Sequence, residues 1–461
     1  MDALAGRLSA WVTRVRFEDL PPDVVEITKL RILDVLGLAL AGAETRLGRA
    51  IKTGAVAMSS SGPAHLVGSG EAVGVMTAAF ANAALSQVLE YDDTHNESIV
   101  HMSSPSVASA LALSETQSVS GPDLILAIAV ANEISCRVGS VAPGQFHRRG
   151  FHPTGLFAPF GVAYGAGKLL GLDADALTSA AGTCGSNAAG LLECWVDGTD
   201  TKFLHSGWAA QSGTGAALLA RAGVTGPARV LEGRFGLFAS HLQDPATSKN
   251  FDRVAEGLGT EWESRHSSFK PFPAAHVLHP YISAVLRLRH AHQIAPADVA
   301  RIECPVAEFN VGIVCEPVAE KCAPASQAHG RVCLQYTLAE ALWSGELGKN
   351  AYGDAMRLHL GVLALARRVE YTVDPTFPGP GRFKGAVRIT LRDGRVFSEV
   401  EEYNRGSEEN PMSHEELRAK FDDNASGTLS AEARNRLAQE VGRTENLTDA
   451  SVLVRLTLSA G

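Results

Sequence analysis

Apolar residues recur at helical spacing at the start of the chain. Leu4, Leu8, Trp11, Val12 and Val15 share one side and predict an amphipathic helix over 2–15. Pro21 and Pro22 introduce a second helix from about Val24 to Leu40, and its apolar faces (ITKLRILDVLGLALAG) predict a buried central element. Helical patterns continue over 73–89, 104–118, 122–138 and 174–192, punctuated by Gly and Pro. From Phe269 the texture changes. ARIECPV alternates like a strand, and GAVRITLRDGRVFSEVEEY predicts a β-hairpin around the Asp393-Gly394 turn, with a helical QYTLAEALWSG between them. After Gly406 polar helices return (SHEELRAKFDDNA, SAEARNRLAQEVG). The order predicts a mainly α chain. A large all-helical domain covers 1–268, an inserted α+β lid domain 269–403, and C-terminal helices over 404–461 return to the helical domain.

Composition removes several function classes. The chain has 461 residues, enough for two or three domains with a large core. Its net charge is −9 with no basic stripe, which argues against a nucleic-acid partner. No apolar run reaches a membrane span, and the first residues show no signal-peptide pattern. Seven cysteines, an odd number with no CxxC pair, predict reduced thiols in a cytoplasmic protein. That spacing also disfavours an iron–sulfur cluster. GVAYGAGKLL has the wrong spacing for a phosphate loop, GAGKLLG lies inside a helical run, and no HExxH is present. No metal or organic cofactor is expected.

The polar residues concentrate in a few places. LEYDDTHNESIVHMSSPS, between two alanine-rich helices, carries Glu90, Asp92, Asp93, Thr94, His95 and His101. Such a cluster must be solvated or line a pocket. A plain inter-helix loop, with Ser103, Ser104 and Ser106 around Pro105 starting the next helix, accounts for the same composition. The loop PGQFHRRGFHPTGL holds His147, Arg148, Arg149 and His152, TDTKFLHSG holds Lys202 and His205, KPFPAAHVLH holds Lys270, His276 and His279, and RVCLQYTLAEAL holds Tyr336.

Read in order, these segments resemble the MmgE/PrpD family, which includes 2-methylcitrate dehydratase, cis-aconitate decarboxylase and iminodisuccinate epimerase. The resemblance runs from LRILDVLGLALAG through YDDTH, GFHPTGLFAPFGVAYGAGKLLGL, TKFLHSGWAAQSGTGAALLARAGVTGP and KPFPAAHVLH to NPMSHEELRAKF. It implies a helical domain with an inserted lid, a homodimer, a cleft between the domains, and cofactor-free chemistry on di- and tricarboxylic acids. It places Thr94, His101, His152, Lys202, Lys270 and Tyr336 in that cleft. Three departures are visible. Glu90 stands where decarboxylase-like members carry aspartate, the Thr94–His101 interval is one residue longer, and Ala275 precedes His276 where those members have the histidine.

The chemistry these residues allow is removal of a proton from carbon beside a carboxylate. Fixed ammonium groups, Lys202 and Lys270, would stabilise the enediolate-like charge. His101 is the expected base, since an imidazole titrates near neutrality, with Glu90 or Asp93 orienting it. Tyr336 or His152 would supply the acid. Thr94, His276 and His279 complete the expected substrate contacts. The resulting expectation is a lyase of the 2-methylcitrate dehydratase type. The alternatives are an epimerase of an amino- or hydroxy-dicarboxylate, a cis-aconitate-type decarboxylase, and a non-enzymatic carboxylate-binding protein of the same fold.

Overall fold

The helix Pro22–Ala43 runs through the middle of the molecule, and every residue from Arg31 to Ala43 is buried. Pro22 sits at its first position, where a missing N–H costs nothing. The helices Val75–Gln87, Ser103–Ser114 and Gly121–Gly139 pack around it. The computed structural model describes residues 3–59, 61–379 and 381–458. Asp2 of the first expected helix, Pro380 of the expected lid and residues 459–461 of the expected C-terminal segment lie outside the described residues.

Close helix approach is what the small residues provide. Pro153–Leu169 packs against both Gly121–Gly139 and His205–Arg221. A Cβ on Gly161 would lie 2.1 Å from the Ala131 carbonyl oxygen, and one on Gly213 2.5 Å from the Val162 Cβ. Any larger residue at either position would push the helices apart. The amphipathic Leu4–Arg14 helix lays Leu4, Leu8 and Val12 on this body.

One predicted helix is shorter than its pattern. Ala174–Cys184 ends eight residues before Leu192. Gly185, Ser186 and Asn187 are weak helix formers. The chain beyond them bonds instead to His152 and the first turn of the Pro153–Leu169 helix: Ala189 N–H donates to Gly155 O at 3.2 Å, and His152 N–H to Gly190 O at 2.9 Å.

After Phe269 the chain builds a separate core. Its four-stranded sheet has the order Val369–Val373, Val299–Val306, Gly385–Leu391, Val396–Glu401. The first pair is parallel and the other two are antiparallel. Helix His279–His292 packs on two of these strands, and Leu334–Ser344 packs on that helix. The expected hairpin is present: Gly394 takes φ +90°, the left-handed turn conformation that glycine enters freely.

The last helices fold back onto the first ones. Ser413 and Glu416 form a reciprocal cap on His414–Ala425. Phe421 from this helix enters the core of the central helix, where a Gly37 Cβ would sit 3.0 Å from its ring. Lys420 pairs with the buried Asp34 at 2.8 Å and donates to Tyr91 O at 2.9 Å. The C-terminal helix thereby pins the polar loop that follows Val75–Gln87.

Candidate active site

The Val75–Gln87 helix is apolar on all sides, and the chain leaves it at Glu90, whose φ of 55° is unfavourable for a side chain with a Cβ. The conformation turns the Glu90 carboxylate inward. It is held there by two ammonium groups: Lys202 Nζ donates to Oε2, and Lys270 Nζ lies 3.0 Å from Oε1 and 3.2 Å from the Glu90 carbonyl oxygen. All three side chains are buried. Burial alone would raise the Glu90 pKa. Lys202 and then Lys270 outweigh it and hold the carboxyl well below the ordinary range. These three groups, one carboxylate between two ammonium groups, carry a net charge of +1; Asp92 beside them is buried as well, and burial raises its pKa.

The next turn presents the histidine. Thr94–His95 pairs with Ser267–Ser268, and a second left-handed residue, Ile99 at φ 58°, returns the chain so that His95 N–H reaches Val100 O at 2.9 Å. His101 is fixed at both ends. Its backbone N–H donates to Thr154 Oγ1 at 3.0 Å, and its Nδ1 lies 3.0 Å from the Asp93 carbonyl oxygen and 3.1 Å from Thr94 Oγ1. A carbonyl oxygen only accepts, so Nδ1 carries the proton. The Nε2 lone pair is left free, 3.9 Å from Glu90 Oε1. Burial, then Lys270 and Lys202, push the His101 pKa well below the usual imidazole value, so the ring is neutral.

A second imidazole faces the first. His152 immediately precedes the Pro153–Leu169 helix, and its ring centre lies 5.6 Å from that of His101. Its Nδ1 is 2.9 Å from Nδ1 of His205, so these two rings share one proton. Its Nε2 is buried without a hydrogen-bond partner among the described residues. Burial and Lys202 keep this ring neutral as well.

These groups line a cavity of about 1030 Å³ whose walls come from both cores. Glu90, Thr94, His101, His152 and Lys202 line one side. His276, Phe309, Lys321 and Phe383 line the other. His276 Nε2 is 2.8 Å from the Asn404 amide nitrogen, which makes Nε2 the acceptor and leaves Nδ1 as an unpartnered donor.

Four expected site residues are placed differently. Lys270 has no exposed surface and does not line the cavity; it lies behind Glu90. The Asp93 carboxylate turns away from the cavity toward Ser103 Oγ (2.6 Å) and Arg31 Nε (3.4 Å), although its carbonyl holds His101. His279 Nε2 is committed to Ala274 O at 3.1 Å, outside the cavity lining. Tyr336 faces the second core from the first turn of its helix, 6.1 Å from Tyr352 between ring centres, and is not in the cavity wall. The expectation that Tyr336 stands in the cleft is corrected by this placement: its helix is buried on all faces from Leu334 to Leu342, and the ring packs within the second core.

The fold brings in three groups to which the sequence assigned no role. Asp92 accepts from Ser104 Oγ at 3.0 Å and stands 3.6 Å from His101 Nδ1. His205 Nδ1 shares a proton with His152 Nδ1. Lys321 joins the cavity lining. Asp92 and His205 were visible in the polar segments around Glu90 and Lys202, whereas Lys321 gave no signal.

Comparison with known proteins follows the same geometry along the chain. Residues 6–249 match the MmgE/PrpD N-terminal domain, and residues 272–445 match the MmgE/PrpD C-terminal domain. Curated relatives include the cis-aconitate decarboxylase of Aspergillus terreus, 28% identical over 98% of this chain and 95% of the relative. The cis-aconitate decarboxylase of Homo sapiens is 29% identical over 94% of this chain and 90% of the relative. That of Mus musculus is 27% identical over 96% and 91%.

Proposed function

The chain belongs to the MmgE/PrpD family, and from that premise and the cavity's chemistry we propose that it is a cofactor-independent lyase acting on a di- or tricarboxylic acid. One observation carries the reading: two neutral imidazoles stand 5.6 Å apart beside a buried cluster of charge +1. Such a cluster calls for one anion, and a substrate carboxylate supplies it.

The steps follow from the tautomers. The carboxylate sits against Lys202, and His101 Nε2 takes the proton from the adjacent carbon. Charge moves into the carboxylate as an enediolate, where the fixed ammonium stabilises it. The proton taken up by His101 passes to the departing hydroxyl through the facing His152 ring, so that water leaves as the alkene forms and both imidazoles end neutral. A base with a second imidazole beside it makes a hydro-lyase the first reading. Decarboxylation is the second, favoured by the names of the relatives. There the bond to a carboxylate breaks, carbon dioxide leaves, and the carbanion left behind takes a proton from solvent, relayed by His101 or His152.

We place residues 269–403 as a lid over this cavity, a division supported by their separate core. A homodimer and a cytoplasmic location are part of the same reading. No helix among the described residues is long and apolar enough to cross a membrane.

No three His, Cys, Asp or Glu side chains are grouped as a metal would need among the described residues. The enzyme, exhaustively treated with chelator and presented with a panel of hydroxy- and unsaturated polycarboxylic acids, is expected to turn over at least one to an alkene acid seen by proton NMR. Activity lost on chelation and restored by a single metal ion would contradict the proposal, as would binding without turnover across the panel.

A further inference from the structure

Lys321 is a buried cation without a counter-charge. It is 3% exposed, and its Nζ donates to two backbone carbonyls, Ile313 O at 3.1 Å and Val332 O at 2.9 Å. Carbonyls solvate an ammonium but do not neutralise it. No carboxylate pairs with it among the described residues, although Glu320 is its neighbour in sequence. An ammonium has three donors, so one remains unused. A buried ion in this condition is costly unless an opposite charge arrives. The carbonyl of Ile313 comes from Val311–Cys315, a π-helical turn, a form that recurs at functional sites.

Its position gives the missing charge an identity. Lys321 and Lys202 line the same large cavity. Val332, whose carbonyl it holds, lines a small adjoining cavity together with Glu90, Lys202 and His329. The two lysines therefore border one continuous space, one from the helical core and one from the second core. Glu193, Glu308, Glu316 and Glu320 stand exposed around the same cavity, as do Arg148 and Arg149, so its rim carries both signs of charge. The buried cations that line it are Lys202 and Lys321, and an anion that enters is stabilised there.

We infer that Lys321 is a second carboxylate anchor, a specificity-determining residue that selects substrates with one carboxylate at Lys202 and a further one within reach of Lys321. The inference rests on the carboxylic-acid reading above. It adds that a monocarboxylate, which can satisfy only one end, is a poor ligand.

Titration of propane-1,2,3-tricarboxylate into wild type, Lys321→Met, Lys321→Gln and Lys321→Arg, with butyrate as the single-carboxylate reference, tests it. Wild type is expected to bind the tricarboxylate well above butyrate. Lys321→Met and Lys321→Gln are expected to weaken the tricarboxylate by at least ~10-fold, the scale of one charge-assisted hydrogen bond, and to leave butyrate within about twofold. Lys321→Arg should recover most of the loss. Met or Gln variants that melt like wild type and bind the tricarboxylate within twofold of it overturn the anchor and leave the lyase reading standing. A wild type that binds no polycarboxylate overturns both. If Met and Gln variants both lose cooperative melting, the lysine is a structural tie between two loops and the inference falls.

Discussion

Replacing His101 by alanine is expected to reduce turnover at least ~100-fold, the scale of lost general base catalysis, while the fold survives. The ring is neutral, so its removal strands no charge. Its Nδ1 partners keep other roles: Thr94 stays in the strand pair with Ser267–Ser268, and the Asp93 carboxylate stays with Ser103 and Arg31. Turnover by NMR beside a thermal melt separates the two effects, and near-normal turnover would remove His101 from the base position. The same argument fixes a pH profile. Burial together with Lys270 and Lys202 holds the His101 pKa well below 6.5. The base therefore remains unprotonated as pH falls from 7 to 6. kcat/KM should stay flat across that window and fall only at lower pH. A tenfold fall per unit beginning at pH 7 would contradict the assignment.

Glu90→Gln is expected to destabilise the protein by roughly 3–5 kcal/mol, the cost of breaking a buried pair and leaving charge uncompensated. The amide preserves shape but leaves Lys202 and Lys270 adjacent and buried with no carboxylate between them. A bound polycarboxylate would restore part of the missing charge, so propane-1,2,3-tricarboxylate should raise the variant's melting temperature more than that of wild type. The pH dependence has a definite sign. The Glu90 pKa is depressed in the fold, so its contribution is fully present above its ordinary value of 4.5 and is lost as pH falls below it. Glu90→Gln should show a shallower acid limb. Chemical denaturation at neutral pH and at pH 4 measures both effects; equal stability at neutral pH would mean that the lysines do not depend on Glu90.

The elements were legible in the sequence where periodicity has a clear reading. The amphipathic first helix, the hairpin at Asp393-Gly394 and the polar C-terminal helices follow from spacing and turn chemistry. The predicted loop rich in carboxylate and imidazole does line a cavity, at Glu90, Thr94 and His101. What spacing could not give is which side a polar group faces. Val75–Gln87 and Pro153–Leu169 are apolar all round, so their patterns name no outward face. Lys270 and Lys202 look alike as residues, yet one lies behind Glu90 and the other in the wall. Tyr336 sits in a motif shared with the family and is nevertheless part of a core. Lys321 lies in a segment of mixed polarity whose π-turn carries no sequence signature, so its burial appears only once Ile313 and Val332 surround it. The His152–His205 contact joins residues 53 positions apart, beyond the reach of any local pattern.

The most direct test of the central claim is a reaction in deuterated water with an active polycarboxylate, followed by proton NMR and ultraviolet absorbance together. Hydro-lyase chemistry begun by proton abstraction at His101 predicts an alkene conjugated to a carboxylate, with rising absorbance and loss of water. The His101→Ala variant should form that product at least ~100-fold more slowly. Deuterium placed at a stereocentre of a product that keeps every carbon and oxygen of the substrate, with no alkene and no carbon dioxide, would identify an epimerase and contradict the account.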